Sequence, residues 1–400
     1  MNTMATTRRP TWLVALLATL LGGCEKAIVL GRGGERGSGF ATVETFQLEP
    51  GQSAGPTGAA AAASGRVYLC GQATDGAGSS HWVVRMAESA HGPFTTVDDF
   101  QRTAGSDATA TAVAVDAAGE VWATGNADAP RRWLLRRGTA AGFSTADDFQ
   151  LAEGEDSFPA AIGAAPGALF LGGSGADGAS VSHWLVRSGG APPWPVSDDF
   201  QLAPDRNCWG ESLRWSASGL YVGGSCRDAA GRLRWLVRRS IDGGATFATV
   251  DEFSLGDDDA YVRDIGVDPS GGVYVVGRAD SPAGWRWIVR RWTEGESGFS
   301  TVEDFQYAPG QNAFASAIAF DTGGRVYVAG RGADGAAVTH WLVRVSADGG
   351  RTWAIADDFQ LAAGHDSAAD VALAGGSGEL LVAGTGSDGS SDQWVVRVLR

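Results

Sequence analysis

Apolar and polar residues alternate in short runs along this chain, and the runs come in a fixed order. ATAVAVDAAGEVWATG (110–125) and ASAIAFDTGGRVYVAG (315–330) each read as an apolar run, a glycine-containing turn and a second alternating run. HWLVRVSADGGRTWAIADDFQL (340–361) reads as a strand, a tight turn and another strand. Variants of Phe-x-Thr-x-Asp-Asp-Phe-Gln recur with the second Phe at Phe46, Phe100, Phe149, Phe200, Phe253, Phe305 and Phe359, spaced 49 to 54 residues apart. Trp-[Leu/Val/Ile]-[Val/Leu]-Arg recurs seven times as well, at Trp82, Trp133, Trp184, Trp235, Trp287, Trp341 and Trp394.

Four short strands per period of about 50 residues describe a propeller blade rather than a helical solenoid. The expected fold is therefore all-β, a seven-bladed β-propeller of four-stranded antiparallel blades spanning residues 40–400. The first copy opens on the outer-strand pattern FATVETFQ (40–47), and the last ends on a third strand, WVVRV (394–398). The N-terminal strand is thus expected to join the C-terminal blade and close the ring, which removes a free sheet edge and fits a monomer.

The repeated letters have structural readings. Each repeat Trp is expected to be glue between blades, with a sugar-stacking platform as the alternative. The Arg three residues on (Arg85, Arg136, Arg187, Arg238, Arg290, Arg344, Arg397) faces an acidic pair on the following strand, such as Asp147-Asp148. That pairing is expected to be exposed, solvated and worth little.

Composition narrows the function. The 59 glycines and 15 tryptophans fit many tight turns, and a net charge of -15 argues against a nucleic-acid partner. At the N-terminus, Arg8 and Arg9 precede an apolar run from Trp12 to Leu21 that is too short to span a bilayer, followed by Leu21-Gly22-Gly23-Cys24. This resembles the lipobox of bacterial lipoproteins. The resemblance implies a signal peptide over 1–23, lipidation of Cys24 and a tether over 24–39. Glu25 after the cysteine implies the outer membrane of the cell envelope. AIVL (27–30) reads as tether, with a competing strand as the alternative.

Ser346-x-Asp348-x-Gly350-x-Thr352-Trp353 and Ser240-x-Asp242-x-Gly244-x-Thr246-Phe247 resemble Asp-boxes, the bacterial neuraminidase repeat, at the turn between a blade's third and fourth strands. Asp-boxes occur in sialidases, other glycosidases and non-enzymatic receptors, so the resemblance selects no chemistry. A sialidase-like mechanism needs an arginine clamp, a Tyr nucleophile with its Glu, and an acid/base Asp. Tyr68, Tyr221, Tyr274 and Tyr327 repeat at one strand position and read as structural, as do His81, His183 and His340 before the repeat Trp.

Cys208 and Cys226 lie symmetrically about the turn SASG (216–219), so a hairpin sets them opposite one another and a disulfide is expected; Cys70 is expected as a buried free thiol. Every second-to-third-strand loop carries an Asp (Asp75, Asp128, Asp177, Asp228, Asp280, Asp334, Asp388). These residues are turn formers, or together an anionic face able to attract cations or Ca²⁺. No other cofactor is implied.

The repeat breaks in the inner strands of blades four and five. CWGESLRW (208–215) and AYVRDIGV (260–267) bring in Trp209, Glu211, Arg214, Tyr261, Arg263 and Asp264, and Phe158 and Phe314 extend an aromatic arc over four blades. Glu211 and Arg263 are equivalent positions able to pair. The cluster is either inter-blade packing with a structural ion pair, or a pocket for a glycan or peptide near the channel mouth. The reading that results is a lipid-anchored envelope module binding a glycan, peptide or envelope protein through its acidic loop face, with an Asp-box glycoside hydrolase as the alternative.

Overall fold

The computed structural model describes residues 39–374 and 379–399, so the expectations for 1–23, Cys24 and 27–30 lie outside the described residues. Seven four-stranded antiparallel sheets follow one another as blades at 54–100, 108–149, 157–200, 208–253, 260–305, 313–359, and 367–399 together with 40–46. The N-terminal strand Phe40–Phe46 pairs with the third strand of blade seven, from Phe40 opposite Leu399 to Phe46 opposite Trp394. The first strand of each blade touches the first strand of the next, blade seven against blade one included, so the ring closes around an axis.

What holds blade to blade is legible in the packing. Each repeat Trp is at most 1% exposed and stands edge-on to the Phe ending its own blade, with ring centroids 5.8 to 6.2 Å apart. The ring's far edge reaches the second strand of the following blade, where the backbone must be bare. A Cβ on Gly125 would stand 2.3 Å from Trp82, and one on Gly330 would stand 2.6 Å from Trp287. Gly173, Gly224, Gly277 and Gly384 meet Trp133, Trp184, Trp235 and Trp341 in the same way. The indole is therefore inter-blade glue, with no face left for a sugar.

The repeat arginines correct the sequence reading. They are 2–9% exposed and take their carboxylate from the preceding blade, while Arg85, Arg136, Arg290 and Arg397 also donate forward to a Thr hydroxyl on their own fourth strand. Arg136 makes a two-pronged pair with Asp98 at 2.7 Å on both arms, and Arg290 does the same with Asp251. Arg187 pairs with Asp147 at 2.8 Å, Arg397 with Asp357 at 2.8 Å and Arg344 with Glu303 at 2.5 Å. Arg238 pairs with Asp198, and Arg85 pairs with Glu44, which the N-terminal strand supplies. Each guanidinium also lies 3.8 to 4.4 Å from the centroid of the preceding blade's Phe. Seven buried ion pairs thus encircle the molecule, one at each blade junction.

This arrangement explains the Asp-Asp-Phe motif letter by letter. Successive residues of a strand face opposite ways, so the first acid turns to the next blade's Arg and the second turns back within its own blade. His81 pairs with Asp99, His183 with Asp199, and Arg286 with Asp304, each at 2.6 Å. Burial pushes Glu303 up to about 7 against the pull of Arg344.

Candidate functional site

Every inner strand contains a one-residue bulge at the same place. Pairing with the second strand skips one residue, between Pro56 and Gly58 in blade one, Gly210 and Ser212 in blade four, and Ala369 and Val371 in blade seven. Blades two, three, five and six skip Thr111, Ala160, Arg263 and Ser316. An extra residue bends the strand and re-aims a side chain. Here all seven bulge residues, Thr57, Thr111, Ala160, Glu211, Arg263, Ser316 and Asp370, line one axial cavity of about 730 Å³. The repeat has placed a ring of side chains around the channel and left their chemistry free to differ.

Three of the seven are charged. Arg263 Nη1 stands 3.5 Å from Glu211 Oε2, too long for a firm pair, and the guanidinium is 47% exposed. Burial raises Glu211 against the pull of Arg263. Burial likewise raises Asp370, on the blade-seven bulge, to about 6 against the pull of Arg331 and Arg263. Arg214 also lines the channel and donates from Nε to the Ile265 carbonyl at 3.3 Å.

Asp264 belongs to the frame. Its carboxylate accepts from Ser212 Oγ at 2.9 Å, its own strand's Ile265 N at 2.8 Å and Ile318 N at 3.0 Å, pinning blades four, five and six together. Burial raises its pKa.

The aromatic arc divides in two. Phe158, 36% exposed, and Trp209 line the cavity. Tyr261 and Phe314 occupy the same strand position, but guanidiniums lie against their rings. Arg278, directly across the strand pair from Tyr261, lies 4.2 Å from its centroid and 3.8 Å from that of Trp285. Arg331, directly across from Phe314, lies 5.1 Å from its centroid. Arg278, Arg331, Trp285 and Asp370 escaped the sequence reading. The position after the second-strand Gly, which reads Gln72, Asn126, Ser174, Ser225, Arg278, Arg331 and Thr385 around the ring, carries the signal that would have found the two arginines.

Cys208 and Cys226 face each other in register and are joined by a disulfide beside Trp209, fixing the start of the blade-four inner strand. Cys70 is buried and free, its thiol pushed up to about 12 by burial.

Five of the seven loop aspartates accept from backbone N–H groups, whereas Asp128 accepts from Arg102 and Asp280 faces Arg278 at 3.6 Å. Asp177 Oδ1 accepts from Ala179 N and Val181 N, Asp334 Oδ1 from Ala336 N and Val338 N, and Asp388 Oδ1 from Ser390 N and Ser391 N. The blade-to-blade loops repeat the device at longer range, as where Asp107 accepts from Ser80 N and Asp366 from Thr339 N. Their carboxylates act as turn and junction staples. Among the described residues no group of three His, Cys, Asp or Glu side chains is placed to hold a metal ion.

The turns at 240–247 and 346–353 are built alike. Asp348 Oδ1 accepts from Thr352 N and Oδ2 from Thr352 Oγ1, while Ser346 Oγ accepts from Gly350 N. Asp242, Thr246, Ser240 and Gly244 make the same bonds. The bonds hold both carboxyls down to about 2. Gly350, with φ +92°, takes the left-handed conformation that the turn requires.

No family model and no curated protein matches this sequence. In three dimensions the chain is similar to the structure described as YCF48 bound to D1 peptide, with 14% identity, TM-score 0.54, and 89% of this chain and 94% of that one covered. It is also similar to a protein of unknown function from Dyadobacter fermentans, at 12% identity and TM-score 0.52, covering 90% of this chain and all of that one. An α-L-arabinofuranosidase of Fusarium graminearum in complex with arabinobiose matches at 12% identity and TM-score 0.46, over 71% of this chain and 90% of that one. The two similarities with TM-scores above 0.5 support the β-propeller fold and nothing finer. The candidate site is the axial cavity lined by the bulge ring.

Proposed function

We propose that the protein is a binding module of the bacterial cell envelope, tethered to the outer membrane through a lipidated Cys24, with its ligand docking at the channel mouth over blades three to six. The observation that carries this reading is the broken repeat. Inner-strand positions that are small or hydroxylated in blades one and two become Trp209, Glu211 and Arg263 in blades four and five, around a cavity large enough for a ligand end. A glycan or peptide of the envelope fits such a mouth. The two Ser-x-Asp turns resemble Asp-boxes and are read here as scaffold.

The hydrolase reading draws on one observation. Glu211 and Asp370 are two carboxyls raised by burial and lining one channel, and glycoside hydrolysis uses a carboxyl pair. Both readings meet in one experiment, screening the purified protein on glycan and peptide arrays and against aryl glycosides. A ligand whose affinity falls at least about tenfold in Trp209→Ala, the scale for losing a buried aromatic contact, supports the module. Turnover of a glycoside that vanishes in Glu211→Gln and Asp370→Asn overturns it.

A further inference from the structure

Arg263, Arg278 and Arg331 stand apart from most arginines of this chain. Arg66, Arg102, Arg132, Arg234 and Arg286 sit 2.5 to 3.0 Å from a carboxylate, as do most of the repeat arginines. At the channel mouth the contacts lengthen. Arg263 is 3.5 Å from Glu211 and Arg278 is 3.6 Å from Asp280. Arg331 makes no hydrogen bond or close ion pair among the described residues, although Asp370 and Asp366 draw on it electrostatically. All three guanidinium carbons lie 5.1 to 5.8 Å from the centroid of one ring, Phe314. Burial and the two neighbouring arginines lower the pKa of Arg331.

Three like charges gathered on one aromatic ring with unused N–H donors are unfavourable in the empty site. The arrangement becomes favourable when an anion with several oxygens joins them. The rings of Tyr261, Trp285 and Phe314 hold the guanidiniums in place, which pre-orients the donors and takes those rings away from stacking on a ligand.

We propose that Arg263, Arg278 and Arg331 form an oxyanion site at the rim of the channel over blades five and six, which receives a carboxylate, phosphate or sulfate group of the ligand. The inference rests on the mouth being the binding site and deepens that reading. It gives a protein of net charge -15 a local preference for acidic ligands. Asp370, raised to about 6 by burial against the pull of Arg331 and Arg263, lines the channel beside this group.

The test is titration calorimetry of the purified protein at low ionic strength with inorganic phosphate, sulfate and citrate as separate probes, which sorts the three oxyanion chemistries. At least one probe binds saturably, and its affinity falls about tenfold or more in Arg331→Gln and Arg278→Gln, the loss expected for removing a charge-assisted hydrogen bond. Arg66→Gln, which removes an exposed pair with Glu88, leaves it unchanged. If Arg331→Gln does not fold, Arg263→Gln, at a half-exposed side chain, reads the same site. Absence of binding for all three probes up to about 20 mM, where the weakest specific sites would register, overturns the proposal, as does binding that survives in the arginine variants. An array ligand lost in Trp209→Ala but indifferent to these arginines would also overturn it while leaving the mouth as the binding site.

Discussion

Arg136→Met is expected to destabilise the protein by about 3–5 kcal/mol, the cost of leaving one member of a buried ion pair uncompensated. Asp98, 7% exposed, would lose both 2.7 Å bonds, and Phe100 would lose the guanidinium lying 3.8 Å from its centroid. The double replacement Arg136→Met with Asp98→Leu is expected to recover most of that loss, because it removes both desolvation costs and keeps the volume apolar. Urea unfolding of the single and double variants measures both values. A single-variant loss below about 1 kcal/mol, the range of exposed pairs, would show that the ring of seven junction pairs is surface decoration after all.

The second large effect concerns closure. Deleting residues 39–46 removes the fourth strand of blade seven, the Phe46 ring edge-on to Trp394, and Glu44, the only carboxylate opposite Arg85 among the described residues. Blade seven is then left with an open strand edge, which invites pairing with another chain. The shortened chain is expected to elute earlier than the parent on gel filtration and to melt at a lower temperature. A synthetic peptide of residues 39–47 added in excess is expected to restore both by mass action. A truncated chain that stays monomeric with an unchanged melt would mean that the ring does not depend on this strand.

The sequence makes the frame of this molecule plain and its junctions obscure, for a physical reason. Spacing reveals what repeats along the chain, so the seven Phe and Trp positions, the turns and the closing strand could be read directly. It does not reveal which of two adjacent acids turns outward to another blade. Arg136 was matched to the acids that follow it in sequence, whereas its partner Asp98 lies 38 residues earlier. The second-strand glycines carry a double constraint that spacing does not show: a Cβ on Gly125 would meet the Thr109 carbonyl of its own blade at 2.1 Å and Trp82 of the preceding blade at 2.3 Å.

The site was half legible. Trp209, Glu211 and Arg263 stood out because large or charged residues replaced small ones, and they do line the channel. Their neighbours Arg214 and Asp264 line it too, and the bulge, which shifts the register by one, is what alternation does not show. Asp264 lines the channel while bonding across the blade junction, and Asp370 enters the channel from a strand, SAADVALA, that reads as unremarkable. Arg278 and Arg331 sit on second strands, where the apolar pattern drew the eye to packing.

The central claim is that the repeated letters build the ring while the variable bulge residues around its channel bind the ligand. It is tested most directly by levelling that ring, replacing Glu211, Arg263 and Asp370 together with threonine, the residue that blades one and two carry there. Thermal melting and ligand binding are then measured on the same sample. The account predicts a melting temperature within about 5 °C of the parent, a shift on the order of 1 kcal/mol or less, together with loss of binding. Unchanged binding, or a chain that no longer folds, would contradict it.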